Sequence, residues 1–300
     1  MLITWRHTGR SGVAFRVVAV FLGLLTAVFF GAGDFFGGLS CKRVSVAVVI
    51  ALAHLIGLVG ATIAAVFIAE EFLAIDFLIG AIAGLAGGVG LALLYRGLAR
   101  GPMAVVAPLT AVTSAAVPAF WGVAGGESFS ALAWIGIAIA GVAIVLTSLP
   151  SGQLASSRLT GQVIIEALLA GVFFGVLFIL FDETSSTTAP WPVVGSRVAT
   201  AGALLMWLQL ARPAELRGIR STAAQTLPLI ALTGLFDTLS NVLFLIATQI
   251  GDLTIVAVLS SLYPASTVVL ARVVLDEKMT RIQLAGLVAA LTATALIAIG

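Results

Sequence analysis

Charged residues are scarce in this chain of 300 amino acids. Only 9% of the residues are Asp, Glu, Lys or Arg, whereas 61% are hydrophobic. Soluble domains carry about 25% charged residues, so this composition excludes a soluble globular protein and predicts an integral membrane protein. The net charge is only +2, and the basic residues do not cluster, so no nucleic-acid partner is expected.

Cysteine and histidine are scarce as well. Cys41 is the single cysteine, which excludes an internal disulfide, and His7 and His54 are the only histidines. These three residues stand at no recognised zinc spacing, and the HExxH, GxSxG and GxxxxGK[ST] motifs are absent. We therefore expect no metal and no other cofactor, and few groups remain for enzymatic chemistry.

What the chain has in abundance is long apolar runs. Reading from one polar or Gly/Pro break to the next predicts ten transmembrane helices, at about 17–39, 46–69, 73–95, 102–124, 131–149, 162–182, 189–211, 226–248, 253–275 and 281–300. The longest connections, 150–161 and 212–225, are too short for a soluble domain. Residues 1–16 are polar and basic and mimic a signal peptide. The run behind them is long enough to span and lacks a clear cleavage site, so we expect it to be the first helix.

The two halves of the chain resemble each other. LLTAVFFG (24–31) matches LLAGVFFG (168–175) at an offset of 144, and Gly101, Val106, Ala107 and Leu109 match Gly251, Val256, Ala257 and Leu259 at an offset of 150. Each half, 17–149 and 162–300, contains five predicted helices. Five is an odd number, so the second half enters the membrane from the opposite side. The sequence therefore predicts an all-α integral membrane fold of two inverted five-helix repeats, a build that many secondary transporters share.

One pair of repeated segments resembles a known family. APLTAVTSAAVPAFWGVAGGESFSALAWIG (107–136) and AVLSSLYPASTVVLARVVLDEKMTRIQLAG (257–286) look like the end of an EamA repeat of the drug/metabolite transporter superfamily. The resemblance implies ten helices, a central cavity, and export or exchange of amino acids, drugs and other metabolites. GGES (125–128) departs from LDEK (275–278), so the resemblance does not imply a shared role for Glu127 and Glu277.

The loops differ in charge between the two sides of the predicted membrane. We name the side that holds both termini side A, and the side that holds the loop after helix 1 side B. Side B receives most of the Lys and Arg residues, beginning with Lys42 and Arg43. Because cytoplasmic loops are rich in Lys and Arg, we expect side B in the cytoplasm and the chain in the cell membrane as a multi-pass protein.

Few ionisable residues lie inside the predicted spans, and such residues by default mark a site or pathway. Arg197 and Asp237 lie at similar depth and have opposite charges. They form either a structural salt bridge between helices 7 and 8 or a substrate site, in which Arg197 binds a carboxylate and Asp237 an amine or a proton. Asn241, on the same helix face as Asp237, either contributes to that site or joins helices.

Three further groups, His54, Glu166 and Asp34, are candidates for coupling. His54 is related to Arg197 by an offset of 143, and we expect it either to bind substrate and protons or to be a neutral histidine bonded between helices. Glu166, near the start of helix 6, is a gating or coupling candidate or an interfacial carboxylate.

Pro108, Pro118 and Pro264 predict a discontinuity or a kink in helices 4 and 9.

Asp34 lies in the stretch GAGDFFGG (31–38), which superficially resembles a dinucleotide-binding loop. The loop requires glycine where Phe36 stands, and it follows a strand, so the small residues here instead predict close helix contact. Asp34 either reaches toward Lys42 and Arg43 or acts as a gate or coupling site. Its counterpart in the second half is Phe178, which favours a functional role over a duplicated structural one.

Together these features predict a secondary transporter that moves a small organic metabolite by alternating access, driven either by a proton gradient or by simple downhill efflux. The expected partners are the lipid bilayer, a small-molecule substrate and protons, with the chain as a monomer or homodimer. One alternative is an intramembrane lipid-modifying enzyme that uses Asp34, His54 and Asp237. Another is an assembly subunit that does not transport.

Overall fold

The computed structural model describes residues 13–100, 103–148, 161–274 and 280–299. In these ranges the chain is all-helical and contains no strand. The helices are α1 (Val13–Cys41), α2 (Val46–Ile68), α3 (Ala74–Arg100), α4 (Met103–Ala124), α5 (Ala131–Ser148), α6 (Gly161–Asp182), α7 (Trp191–Ala211), α8 (Pro213–Ile250), α9 (Leu253–Ser260), α10 (Tyr263–Val274) and α11 (Arg281–Ile299), with a 3-10 turn at Ser186–Thr188. The polar segment 1–12, Glu277 and the connection 150–160 lie outside the described residues.

The helices have the composition of membrane spans. Six described segments are long and apolar enough to cross a bilayer: Phe15–Cys41, Val46–Ile68, Ala74–Gly97, Gly161–Asp182, Trp191–Ala211 and Thr226–Ile250. Four shorter apolar helices accompany them, at Leu109–Ala124, Ala131–Leu146, Leu253–Thr267 and Arg281–Ile297. Large apolar side chains such as Phe67, Phe120 and Leu210 are about four-fifths exposed on the outside of the bundle. Such a surface requires lipid as its solvent, and the chain is a multi-pass membrane protein.

The helix boundaries follow the predicted apolar segments closely, with two differences. The connection expected at 212–225 is wrong, because α8 begins at Pro213 and continues unbroken through Pro228. Polar residues end the apolar stretch there, but ELRGIRSTAAQT still contains good helix formers, so the helix extends beyond the hydrophobic region. The second difference is in the ninth predicted helix, which is divided at Ser261–Leu262 into α9 and α10. Pro264 lies in the first turn of α10, where proline is tolerated. No such break occurs at Pro118, since α4 is continuous.

The main helix contacts are preserved when the two halves of the chain are exchanged. We match α1, α2, α3, α4 and α5 with α6, α7, α8, the α9–α10 pair and α11. The contact of α1 with α8 then corresponds to that of α6 with α3, and α2 with α8 corresponds to α7 with α3. Likewise α1 contacts α9 and α10 as α6 contacts α4, while the pairs α2–α7, α4–α9 and α5–α11 map onto themselves.

Two glycine contacts reproduce this correspondence at the level of single residues. A side chain at Gly84 in α3 would collide with the main-chain carbonyl of Ser196 in α7. A side chain at Gly234 in α8 would collide with the main-chain carbonyl of Ala53 in α2. Gly84 and Gly234 differ by 150 in number, and Ala53 and Ser196 by 143, which are the offsets seen in the sequence. At both seams the absence of a side chain lets two helix backbones approach closely, as is common between membrane helices.

Candidate functional site

A buried ion pair joins α7 to α8. Arg197 Nη1 lies 2.9 Å from Asp237 Oδ2, and Arg197 Nη2 donates a hydrogen bond of 3.1 Å to the main-chain carbonyl of Asp237. The side chain of Arg197 is 3% exposed, whereas that of Asp237 is 25% exposed. The guanidinium therefore lies inside the protein and is neutralised by its partner, while the carboxylate still reaches open space.

His54 of α2 completes this cluster. Its Nε2 lies 3.1 Å from Arg197 Nη1 and 3.6 Å from Asp237 Oδ2. A guanidinium can only donate hydrogen bonds, so His54 Nε2 must accept, and the ring is neutral with its proton on Nδ1. That Nδ1 is buried and has no hydrogen-bond partner among the described residues. His54 and Arg197, which the sequence related by an offset of 143, are thus in direct contact.

Asn241 lies one turn beyond Asp237 on α8. Its Nδ2 donates to the main-chain carbonyl of Asp237 at 2.6 Å and is 3.4 Å from Asp237 Oδ1. Ser240 Oγ donates to the same carbonyl at 2.8 Å. With Arg197, three side chains therefore converge on one main-chain oxygen, which fixes the position of Asp237 relative to α7.

A small cavity opens beside this cluster, between α1, α2, α3 and α8. Its lining residues are Gly33, Asp34, Val49, Ile50, Ala53, His54, Leu91, Tyr95, Thr233 and Asp237. In this conformation the cavity has room for about one water molecule. Asp34 therefore shares a cavity with Asp237 and His54, and the described residues give it no ion pair with Lys42 or Arg43.

Sequence reasoning missed two residues around Asp34. Tyr95 and Tyr263 are the only tyrosines of the chain, and the structure brings both close enough to Asp34 to interact with its charge. Tyr95 lines the cavity, and the hydroxyl of Tyr263 is buried without a hydrogen-bond partner in the described part of the chain. Their rarity in an otherwise apolar sequence is the signal that could have identified them.

A comparison with protein families finds a match to the second half of the chain. A model of the EamA-like transporter family matches residues 162–299, the segment from α6 to α11. This match, which covers the second half of the chain, supports an EamA-like transporter. A comparison with curated proteins finds no match.

The chain also resembles solved structures over nearly its whole length. One of them, described only as the crystal structure of a protein, superposes with a TM-score of 0.72 at 17% sequence identity. The similarity covers 93% of this chain and 95% of the other. At that identity the resemblance establishes the fold and nothing about the substrate.

The polar cluster lies on one side of a scaffold whose other side is apolar. When the halves are exchanged, Asp34 corresponds to Phe178, Asp237 to Gly87, and Tyr95 to Leu245. Phe178 stacks on Phe244 with ring centroids 4.2 Å apart and belongs to the main hydrophobic core. The polar site is therefore not a by-product of duplicated packing, since the positions equivalent to Asp34, Asp237 and Tyr95 carry no polar side chain.

Glu166 lies apart from this site. Its Oε1 is 3.3 Å from Arg96 Nη2 and accepts a hydrogen bond of 3.3 Å from Gln162 Nε2. Its side chain is 6% exposed, whereas that of Arg96 is 54% exposed. The structure thus places Glu166 in the contact between α3 and α6, away from Asp34, His54, Arg197 and Asp237.

Glu127, which the sequence placed in the connection between α4 and α5, binds the first turn of α9. Its Oε1 accepts from the main-chain N–H of Leu253 at 2.7 Å, and its Oε2 accepts from that of Thr254 at 3.2 Å and from the Thr254 hydroxyl. Burial raises the pKa of the Glu127 carboxyl above its usual range, against the effect of the Thr254 hydrogen bonds. The carboxylate therefore caps α9 and joins the two halves of the chain.

Proposed function

We propose that this EamA-like protein is a secondary transporter that moves a small organic metabolite across the cell membrane by alternating access. The observation that supports this most is the shared cavity of Asp34, His54 and Asp237, beside the buried Arg197. The cavity lies where α1, α2 and α3 of the first half meet α8 of the second. Relative motion of the two halves would therefore widen the cavity and change the side to which it opens.

The proposal includes ten membrane spans in two inverted repeats. Its support is the packing pattern that survives exchange of the halves, together with the matched contacts at Gly84 and Gly234. In this scheme α9 and α10 are one span that is broken near the middle. Broken spans at a repeat interface are a common feature of transporter binding regions, because they leave main-chain groups free to bind substrate.

We assign proton coupling to Asp34 rather than to His54. A proton on His54 would place a second cation 3.1 Å from the Arg197 guanidinium, and Arg197 already uses the Nε2 lone pair. Asp34 has no such neighbour. The groups around it are the Asp237 carboxylate from α8 and the hydroxyls of Tyr95 and Tyr263 from α3 and α10. A proton there would relieve repulsion between two carboxylates.

The lipid-modifying alternative has less support from the geometry. His54, its expected base, accepts a hydrogen bond from Arg197 through Nε2, so that nitrogen is not free to take a proton from a substrate. Apolar side chains also form most of the cavity wall. Among the described lining residues, Thr233 of α8 is the only serine, threonine or cysteine that could act as a nucleophile. A transporter needs only binding groups at this position, and those are present.

Flux in proteoliposomes tests the proposal. Purified protein is reconstituted, and exchange of labelled amino acids, purines and amines is measured for the wild type, Arg197→Ala and the surface control Arg212→Ala. The Arg197 variant should lose exchange while remaining monodisperse in detergent, and the control should keep it. Normal flux through Arg197→Ala would contradict the assignment of the site, and absence of exchange for every solute in the wild type would favour the assembly subunit.

A further inference from the structure

The charges around the cavity do not balance. Among its lining residues, the groups that can carry a charge near neutral pH are Asp34, His54 and Asp237. Arg197 neutralises Asp237 at 2.9 Å, and His54 is neutral because its Nε2 accepts from the guanidinium. The described residues offer Asp34 neither an ion pair nor a hydrogen bond. An ionised Asp34 therefore gives the cavity one net negative charge inside the membrane, where an uncompensated charge is costly.

Among the described residues around the cavity, no cation remains to receive a carboxylate. Nη1 of Arg197 contacts Asp237 Oδ2 and His54 Nε2, and Nη2 donates to the Asp237 carbonyl. The remaining donor, Nε, is buried, and Arg197 is not among the residues that line the cavity. The expectation that Arg197 holds a substrate carboxylate thus conflicts with the geometry, because Asp237 already occupies that position.

The surroundings of Asp34 suit an organic ammonium group. Tyr95 lines the same cavity and offers an aromatic face, a hydroxyl oxygen and no charge. Apolar side chains of Val49, Ile50 and Leu91 complete the wall and suit the hydrocarbon part of an amine. Carboxylate, aromatic ring and apolar wall together are the usual components of sites for organic cations.

A second observation points to a ligand. His54 is 5% exposed and lines the cavity, yet its Nδ1 has no partner among the described residues. A buried N–H without a partner costs free energy unless something binds it. A neutral oxygen of a bound molecule, or a water carried with it, would satisfy that donor.

We propose that the site recognises its substrate through a protonated amine, with Asp34 as the counter-ion, and that it rejects solutes whose only charge is a carboxylate. This inference rests on the transport function proposed above and specifies the substrate class of the same site. Arg197 in this account is a positioning residue, which holds Asp237 and His54 in place and does not contact the substrate.

The test is counterflow in proteoliposomes with matched solutes. The amines isoamylamine and 2-phenylethylamine are compared with the acids of similar shape, 4-methylvalerate and 3-phenylpropionate, and with the zwitterions leucine and phenylalanine. Wild-type protein should exchange the amines at least tenfold faster than the acids. Asp34→Asn should reduce amine exchange at least tenfold. Glu183→Gln, which removes an exposed carboxylate from the connection after α6, should leave it unchanged.

The possible outcomes separate the inference from the proposed function. Faster exchange of the acids than of the amines would overturn the amine assignment and leave the transporter proposal standing. Equal amine exchange by the wild type and Asp34→Asn would overturn the role of Asp34. If the wild type exchanges none of the six solutes, both the inference and the proposed function fail. The wild-type comparison needs no variant, so a misfolded Asp34→Asn protein would not prevent the decision.

Discussion

The Arg197–Asp237 pair offers a quantitative prediction about stability. Asp237→Asn removes the 2.9 Å ion pair but leaves Arg197 with its hydrogen bond to the Asp237 carbonyl and its contact with His54. Arg197→Met removes all three contacts and leaves the carboxylate without its cation. Removal of one member of a buried pair costs about 3–5 kcal/mol. Since the Asp237 side chain is 25% exposed and retains Asn241, we expect about 3 kcal/mol for either variant, the low end of that range.

The double variant Arg197→Met/Asp237→Asn leaves no unpaired charge in the bundle. It should therefore lose about as much as one single variant, which gives a coupling free energy of about 3 kcal/mol. The free energy of unfolding can be measured by SDS titration in mixed micelles, followed by the fluorescence of the five tryptophans.

A matched control is available on the surface. Arg212 Nη1 and Glu215 Oε1 form an ion pair of 3.3 Å, but their side chains are 61% and 30% exposed. The cycle of Arg212→Met and Glu215→Gln should give a coupling of at most about 0.5 kcal/mol, because exposed pairs contribute little. If the losses at Arg197 and Asp237 simply add, within about 0.5 kcal/mol, the two residues do not form a buried unit and the reasoning is wrong.

Three further predictions concern other parts of the bundle. Gly234→Ala should lower the free energy of unfolding by about 1–3 kcal/mol, because the new methyl group would collide with the Ala53 carbonyl. Gly60→Ala places its methyl group in open space and should be neutral or slightly stabilising. Equal effects of the two substitutions would refute the close contact between α2 and α8. Glu127→Ala should cost about 1–3 kcal/mol, since two N–H groups of α9 lose their acceptor, whereas Glu127→Gln should cost less than about 1 kcal/mol. Because the folded-state pKa of Glu127 is raised, the contribution of this residue to stability is complete below the unfolded pKa of about 4.3 and is lost as pH rises through the folded pKa. On acidification, the free energy of unfolding of the wild type should therefore increase relative to that of Glu127→Gln. A decrease over that pH range would show that the cap requires the carboxylate. A reporter fused after Gly300 should show extracellular-type activity, and cytoplasmic-type activity would reverse the proposed orientation.

Hydropathy predicted the helices well, because the bilayer requires about 20 apolar residues in each span and satisfies no main-chain groups. Hydropathy gave the wrong helix boundary where a polar segment is nevertheless helical. The segment 213–225 is polar and yet helical, since a helix that leaves the apolar region can continue in water. The break between α9 and α10 coincides with the turn at Ser261–Leu262 just before Pro264, so the proline indicated the region of the discontinuity but not its type.

The candidate site was harder to predict, because it depends on contacts between distant helices. Arg197 and Asp237 stood out by charge and similar depth, which are visible in the sequence. Arg197 contacts both Asp237 and His54 and does not line the cavity. This arrangement depends on how α2, α7 and α8 cross, which no local sequence pattern encodes. Tyr95 of α3 and Tyr263 of α10 lie close enough to Asp34 to interact with its charge, and sequence spacing carries no information about that proximity.

The central claim is that the cavity of Asp34 and Asp237 opens in turn to the two sides of the membrane. The most direct measurement is the accessibility of a cysteine at Thr233, a lining residue that is 6% exposed in this conformation. In a Cys41→Ala background, Thr233→Cys should react with a membrane-impermeant maleimide in both right-side-out and inside-out vesicles, and a transported solute should slow both reactions. Leu235→Cys, which faces outward on the same helix, should react in neither. Reaction of Thr233→Cys from one side alone, unaffected by any solute, would contradict the account.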